Sequence, residues 1–340
     1  MLKRTLPALA GVAAVAALLS GCQTADSSTA GESEGTTAIT LGVAGQPPIF
    51  QTTILQVAID EGFFTDEGLD VTLRPFTTGV DVGRAIQSGE LEGGMTITQG
   101  AAAIRSNGGS IVGVLGFEHP SYTLVSADPE VTTCADVKGK TVATDSPGTP
   151  LNLALAIMLE SCGLTLDDIN SVAVNGTATL DAVLARQVDI AVLHPEQIAI
   201  VAEDHPIQAL TTVAEVDPLS HYMLLATTEK ELADETSRDK WVRIVRALVK
   251  TIEFMYDDAN ADAVAQAAAE ITTRDVDITA AALPDYKALE MWPTSGDGMS
   301  QDRIEATIQV EVDAGNIEAS KAPTFDELVD PSVYEDAVSG

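Results

Sequence analysis

Basic residues are scarce in this chain. Its 340 residues include 18 lysines and arginines against 51 aspartates and glutamates, which gives a formal charge of −33. Proteins that bind nucleic acid neutralise its phosphates with clustered lysines and arginines, so this balance excludes nucleic acid as a partner. A surface this acidic keeps a protein dispersed in solution and says little about its fold.

Catalytic motifs are absent from the sequence. It contains no G-x-S-x-G nucleophile elbow, no H-E-x-x-H helix, no Walker loop and no Rossmann fingerprint. The four histidines, His119, His194, His205 and His221, lack the spacing of metal ligands. We therefore predict no cofactor, no metal site and no enzymatic activity.

A long apolar run occurs only at the N-terminus. Two basic residues precede an apolar stretch from residue 6 to residue 19, which is shorter than the ~20 residues that cross a bilayer. A charged head, an apolar run of this length and small residues at the cleavage point form a signal peptide. Residues 19–22 end on Cys22 and resemble the lipobox of bacterial lipoproteins. We predict a signal peptide over 1–21, lipidation of Cys22, and an extracytoplasmic protein that touches the cell membrane only through its lipid anchor.

The segment after that cysteine differs in composition from the rest. Residues 22–37 are rich in serine, threonine, glycine and glutamate and show no apolar periodicity, which indicates a flexible tether. The chain as a whole is 45% apolar, enough material for two lobes.

Two cysteines remain after lipidation. An even pair in an oxidising compartment favours a disulfide between Cys134 and Cys162, and two buried free thiols are the alternative. A bridge over a loop of this length would stabilise the fold by about 3–4 kcal/mol.

From residue 38 onward, short apolar runs alternate with longer amphipathic ones. This pattern is typical of an α/β protein with mainly parallel sheets and helices on both sheet faces. The predicted strands are residues 39–44, 71–75, 94–98, 111–117, 141–144, 172–174, 188–193 and 222–227. The predicted helices in these two series are residues 53–59, 82–87, 101–105, 151–159 and 180–185. An apolar stripe on residues 241–255 predicts a further helix that packs on a core.

The two series of elements alternate strands and helices in a similar order, which predicts two similar lobes. We assign residues 38–118 and 220–340 to lobe 1 and residues 119–219 to lobe 2. The chain then crosses between the lobes twice, near residues 117–121 and near residues 217–222, and the two crossings form a hinge.

Ligands of open α/β sheets gather at the carboxyl ends of strands, where loops and helix N-termini converge. The loops that follow the predicted strands are rich in glycine, hydroxyl groups and amides, although ordinary turns share this composition. We predict that the following residues contact a ligand: Gln46, Pro47, Thr78, Thr98, Gln99, Ser146, Gly148, Thr149, Asn175, His194, Glu196 and Tyr222.

Two of these positions carry specific expectations. Thr149 suits the N-cap and Pro150 the first position of a helix, so the helix would begin with free N–H donors that point at a ligand oxygen. A carboxylate at Glu196 would repel an anionic ligand by about 4 kcal/mol at 4 Å for an effective dielectric constant of ~20. A ligand with an amino group would fit beside it better.

Four stretches of the sequence together resemble a known family, the periplasmic solute-binding proteins of ABC importers for aliphatic sulfonates, taurine, nitrate and thiamine pyrimidine precursors. They are residues 56–71, with the pattern GxFxxEGLDV, and residues 136–143, 163–169 and 188–192. The resemblance implies a type II, two-lobed clamshell. It also implies a monomer that closes on a small solute and presents it to a permease in the membrane.

The charge of the predicted ligand loops departs from anion-selective relatives. None of these loops contains a lysine or an arginine, which disfavours nitrate. A sulfonate or taurine-like solute and an aminopyrimidine both remain open, with a slight preference for an amino-bearing or heteroaromatic solute. Two rival functions also remain: an enzyme like the pyrimidine synthases that share this fold, and a lipoprotein that presents its ligand state to a sensor.

Overall fold

The computed structural model describes residues 36–145, 150–174 and 178–339. The predicted signal peptide, the lipidation at Cys22 and nearly all of the tether lie outside the described residues. Within the described ranges, none of the helices combines the length and the hydrophobicity of a transmembrane segment.

The strands of the described residues form two sheets of five. The first sheet has the order β2-β1-β3-β10-β4 and consists of β1 Thr37–Ala44, β2 Leu69–Phe76, β3 Gly93–Ile97, β4 Ile111–Phe117 and β10 Met223–Thr228. The second sheet has the order β7-β6-β8-β5-β9 and consists of β5 Thr123–Ser126, β6 Thr141–Thr144, β7 Asn170–Ala173, β8 Ile190–Leu193 and β9 Gln208–Thr212. We call the bodies built around these sheets the first and the second lobe.

Each sheet has four strands in one direction and one strand against them. In the first sheet β1 pairs in parallel with β2 and β3, whereas β10 is antiparallel to both β3 and β4. In the second sheet β5 is likewise antiparallel to β8 and β9. The two reversed strands are the first ones that the chain forms after each crossing between the sheets. The predicted two-lobed α/β fold with mainly parallel sheets is confirmed.

Helices cover both faces of each sheet. Around the first sheet lie α1 Thr53–Asp60, α2 Phe63–Asp66, α3 Gly79–Ser88, α4 Thr98–Ser106, α9 Glu229–Ala233, α10 Glu235–Tyr256, α11 Ala261–Thr272, α12 Val276–Ala288, α13 Gln301–Asp313, α14 Phe325–Leu328 and α15 Ser332–Val338. Around the second sheet lie α5 Pro150–Ser161, α6 Ala178–Leu184, α7 Pro195–Asp204 and α8 Val213–Val216.

Helix α10 shows how the sequence pattern produces this packing. Its apolar residues recur every three or four positions, so they share one face of the helix. Trp241, Ile244, Val245, Leu248 and Met255 are all fully buried in the core of the first lobe. The predicted amphipathic helix is confirmed.

The structure pairs Cys134 with Cys162 in the second lobe, with their Cα atoms 5.9 Å apart and a sequence separation of 28. The bond ties the segment before β6 to the end of α5. Because a closed loop restricts the unfolded chain, we expect reduction to lower the free energy of unfolding by about 3–4 kcal/mol. Denaturant unfolding with and without a reductant measures this loss. Two reactive thiols in the denatured, unreduced protein would contradict the pairing.

Candidate functional site

A cleft of about 510 Å³ lies between the two lobes. The first lobe lines it with the ends of β1 and β3, the loop between β2 and α3, and one face of α13. The second lobe lines it with α5, α8 and the segment that leads back to β10. Pockets of this volume hold small organic molecules, so the cleft is the candidate solute site.

Thr78, Gln99 and Tyr222, three of the residues predicted to contact a ligand, line this cleft. Thr78 is the N-cap of α3, where its Oγ1 accepts a hydrogen bond from the backbone N–H of Asp81 at 3.2 Å. Gln99 lies in the first turn of α4, and Tyr222 directly precedes β10. Helix starts at the ends of strands place Thr78 and Gln99 at the cleft, as the sheet geometry predicted, whereas Tyr222 lies at the start of the antiparallel strand β10.

Five other predicted residues do not line the cleft. Gln46 is exposed, with its Nε2 3.5 Å from the carbonyl oxygen of Pro75, and Pro47 follows it in a cis peptide bond. Thr98 is fully buried, and His194 and Glu196 lie at a contact between the lobes that is described below. Ser146, Gly148, Thr149 and Asn175 lie outside the described residues. The ligand contacts of all nine stay predictions.

His221 is a buried histidine at the wall of the cleft. Its Nε2 lies 2.8 Å from the carbonyl oxygen of Gly298 and its Nδ1 lies 2.7 Å from Oγ1 of Thr98. Since a carbonyl oxygen only accepts, Nε2 carries the proton and Nδ1 accepts from the threonine hydroxyl. Burial lowers the pKa of His221 to about 4, so the imidazole is neutral near pH 7 and brings no positive charge to the cleft.

Acid is expected to destabilise the protein through His221. The pKa of this imidazole is about 4 in the folded state against an ordinary value of 6.5. As the pH falls from 6.5 towards 4, the unfolded chain binds a proton that the folded protein does not, and stability is lost. We expect this histidine to account for about 2–3 kcal/mol of the loss between pH 7 and pH 4.5. Urea unfolding of the wild type and of His221→Asn at both pH values measures the difference. Equal losses in the two proteins would contradict this role.

Two tyrosines lie side by side where the chain crosses between the lobes. Tyr122 and Tyr222 both line the cleft, and their rings meet edge to face with centroids 6.1 Å apart. Burial raises the pKa of each hydroxyl, so both stay protonated. They offer the cleft aromatic surface and uncharged hydrogen-bonding groups.

Next to the cleft, the lobes meet in a buried contact that we call the lobe junction: Phe50, Gln51, Ser121, His194, Glu196, Tyr286 and Trp292. The Phe50 ring stacks on the Tyr286 ring with centroids 4.1 Å apart. Trp292 Nε1 donates to the carbonyl oxygen of Gln51 at 3.1 Å, and Gln51 Nε2 donates to Ser121 Oγ at 2.9 Å. Ser121 Oγ in turn lies 2.8 Å from His194 Nδ1. A continuous chain of hydrogen bonds thus crosses from one lobe to the other.

Glu196 is the buried charge of this junction. It lies in the first turn of α7, which packs on α12 of the first lobe, and only 6% of its surface is exposed. Its Oε2 accepts a hydrogen bond from the Tyr286 hydroxyl at 2.6 Å, and its Oε1 lies 3.8 Å from an Arg274 nitrogen. Burial and the nearby carboxylate raise the pKa of Tyr286, which keeps its hydroxyl protonated as the donor. Both carboxylate oxygens therefore face partners from the first lobe.

The sequence analysis missed the contribution of α13. Thr307, Val310 and Glu311 occupy one face of this helix, at the i, i+3 and i+4 spacing, and line the cleft together with Asn316. Val310 stands among charged and polar residues, and 42% of its surface is exposed. An apolar residue on an otherwise polar helix face was the available signal.

Comparison with known proteins identifies a family whose model matches this chain. Residues 49–261, more than half of the chain, match the family described as NMT1/THI5 like. A curated protein of Brucella abortus, named as a candidate binding protein, is 28% identical over 158 residues. These residues cover 46% of this chain and 48% of that protein, so the match spans about half the length of the curated relative.

Solved structures of low sequence identity share the fold. The alkanesulfonate-binding protein SsuA of Xanthomonas axonopodis pv. citri, bound to MOPS, has a TM-score of 0.62 at 14% identity and covers 86% of this chain and 97% of its own. The nitrate-binding protein NrtA of Synechocystis PCC 6803 has a TM-score of 0.69 at 11% identity and covers 89% of both chains. DSZB, a C27S mutant in complex with biphenyl-2-sulfinic acid, has a TM-score of 0.62 at 15% identity and covers 88% of this chain and 99% of its own.

The predicted periplasmic-binding-protein fold is confirmed by these neighbours. The match to the family extends from the wall of the cleft at Ile49 through the second lobe to the first residue of α11. The chain belongs to the NMT1/THI5-like family.

Proposed function

We propose that this protein is the solute-binding component of an ABC importer and that it binds its solute without transforming it. One observation carries the proposal: the walls of the cleft come from both lobes, so a molecule inside it contacts both at once. Such a molecule binds the closed arrangement more tightly than the open one and shifts the protein towards closure. A shift from 1:99 to 99:1 requires about 5.5 kcal/mol of differential affinity.

The proposal includes the partners implied by the sequence. A lipid on Cys22 and the tether that follows it would hold the lobes outside the cytoplasm, next to a permease in the membrane. The protein would act as a monomer, because a clamshell of this kind completes its site within one chain. Sulfonate- or taurine-like compounds and aminopyrimidines are the solute classes that the family resemblance implies.

Two valine variants test whether the cleft is the solute site. Val310 lines the cleft and is 42% exposed, whereas Val276 lies at the start of α12, outside the cleft lining, and is 40% exposed. We expect Val310→Trp to fill the cleft and to abolish the thermal stabilisation by solutes from a panel of sulfonates, taurine, nitrate and aminopyrimidines. Val276→Trp should keep it.

Small-angle scattering of the wild type, with and without the stabilising solute, tests closure. The radius of gyration should decrease when the solute binds. Chemical conversion of the bound solute, detected by mass spectrometry, would contradict the proposal and favour an enzyme on this fold.

A further inference from the structure

The cleft contains no fixed positive charge among its described lining residues. Its charged side chains are Asp217 and Glu311, both acidic, and its histidine, His221, is neutral. Residues 146–149 and 175–177, which lie outside the described residues, contain no lysine or arginine in the sequence. An anionic solute would therefore lose its hydration in the cleft and find no counter-charge there.

Two features near the cleft that could attract an anion, Arg303 and the start of α3, already have partners. Arg303, one turn before Thr307 on α13, lies 3.3 Å from the Glu118 carboxylate and donates to the carbonyl oxygen of Ser220. The start of α3, which faces the cleft, is capped by Thr78 and carries the acidic side chain of Asp81 in its first turn. The negative charge of that carboxylate compensates the positive end of the helix dipole.

Aliphatic side chains line both walls of the cleft. Ile49, Val80 and Ile97 line the side of the first lobe, and Leu153, Ile157 and Leu219 line the side of the second. Five large apolar side chains of the described residues are exposed, and three of them, Leu153, Leu219 and Val310, are at this cleft. Exposed apolar surface gathered in one concave place marks a site for an apolar molecule.

On the basis of the proposed function, we infer that the solute is an uncharged molecule with an apolar body. Sulfonates, taurine and nitrate are rejected because the cleft offers them no counter-charge. The aliphatic walls enclose the body of the solute. The polar groups of Gln99, Tyr122, Tyr222 and Thr307 satisfy one or two neutral hydroxyl, amide or ring-nitrogen groups on it. Selectivity then rests on the cost of burying an unpaired anion.

Two fluorescent dyes that share one ring system test this selection directly. N-phenyl-1-naphthylamine is uncharged, and 8-anilinonaphthalene-1-sulfonate is the same skeleton with a sulfonate. We expect the uncharged dye to bind saturably at one site and the sulfonate dye to bind at least tenfold more weakly. The Val310→Trp variant should abolish binding of the uncharged dye, and Val276→Trp should retain it.

A matched pair of substitutions adds a positive charge, one inside the cleft and one outside it. Leu219 lines the cleft and is 51% exposed, and Val338 lies outside the cleft lining and is 50% exposed. Leu219→Arg should shift the preference towards the sulfonate dye by at least tenfold, and Val338→Arg should leave the preference unchanged.

Each outcome decides one claim. Equal or tighter binding of the sulfonate dye by the wild type, or binding of neither dye, overturns the inference about charge. Selective binding of the uncharged dye without a decrease in the radius of gyration contradicts closure on the solute, and therefore the proposed function. The inference about charge is not affected by that result.

Discussion

Replacing Trp292 with alanine is expected to lower the free energy of unfolding by about 4 kcal/mol and to weaken solute binding at least tenfold. Trp292 is fully buried, its ring packs beside Phe50 and Tyr286, and its Nε1 holds the backbone of Gln51. Losing it leaves a cavity in the lobe junction and releases the segment that contacts Ser121 of the hinge. Urea unfolding measures the first effect, and titration with the uncharged dye measures the second.

Trp241 supplies the matched control, because the sequence has only two tryptophans and both are fully buried. Trp241 lies in the core of the first lobe, on α10, away from the cleft lining. Trp241→Ala should cost a similar free energy of unfolding but leave the dye affinity of the folded protein unchanged. If the two variants lose the same affinity, the junction has no special role in binding.

Removing the Glu196 side chain is expected to loosen the closed arrangement of the lobes. Glu196→Ala leaves the Tyr286 hydroxyl without its acceptor and the Arg274 charge without its partner. Leaving the buried Tyr286 hydroxyl without this acceptor costs roughly 1–3 kcal/mol. Because the lost contacts join the lobes, the population of closed molecules should fall. The radius of gyration measured with the solute present should be larger than that of the wild type, and the apparent affinity for the dye should decrease about tenfold or more.

Glu203 on the same helix provides the control, since it is exposed and no contact joins it to the first lobe among the described interactions. Glu203→Ala should change neither the radius of gyration nor the affinity. Tyr286→Phe removes the hydroxyl and retains the ring that stacks on Phe50, so it should produce a smaller effect in the same direction as Glu196→Ala. Identical scattering curves for the Glu196 and Glu203 variants would show that the lobes are not held by this contact.

Local sequence patterns were sufficient for most of the fold. The strands at residues 111–117 and 141–144 match their predicted bounds, because short segments rich in β-branched and apolar residues between turn residues favour strands. Strands β5 and β9 were missed. Strand β5 has four residues, and β9 is a polar edge strand of sequence QALTT with little burial, so neither shows a clear apolar period. Their pairing is decided by the sheet that they join.

The residues of the candidate site were harder to predict from the sequence than the fold. Thr78 and Gln99 could be placed at the cleft because they follow from strand ends and helix starts, which are local features. Tyr222 was predicted only as an aromatic side chain that could stack on a ligand. The partners of Glu196 could not be predicted, because Tyr286 is 90 residues away in sequence and meets it only after the lobes pack. The cleft-lining face of α13 was missed for the same reason, because it reaches the cleft only through tertiary packing.

The insertion of β10 between β3 and β4 determines when the first sheet can be completed during synthesis. Until the chain has passed residue 228, β4 has no neighbour in the first sheet, and β3 has one open edge. The half-sheet exposes backbone groups that favour pairing with other chains. Pairings between residues this distant in sequence form slowly. A polypeptide that ends before β10 therefore cannot complete the first sheet or the cleft wall that this sheet supports.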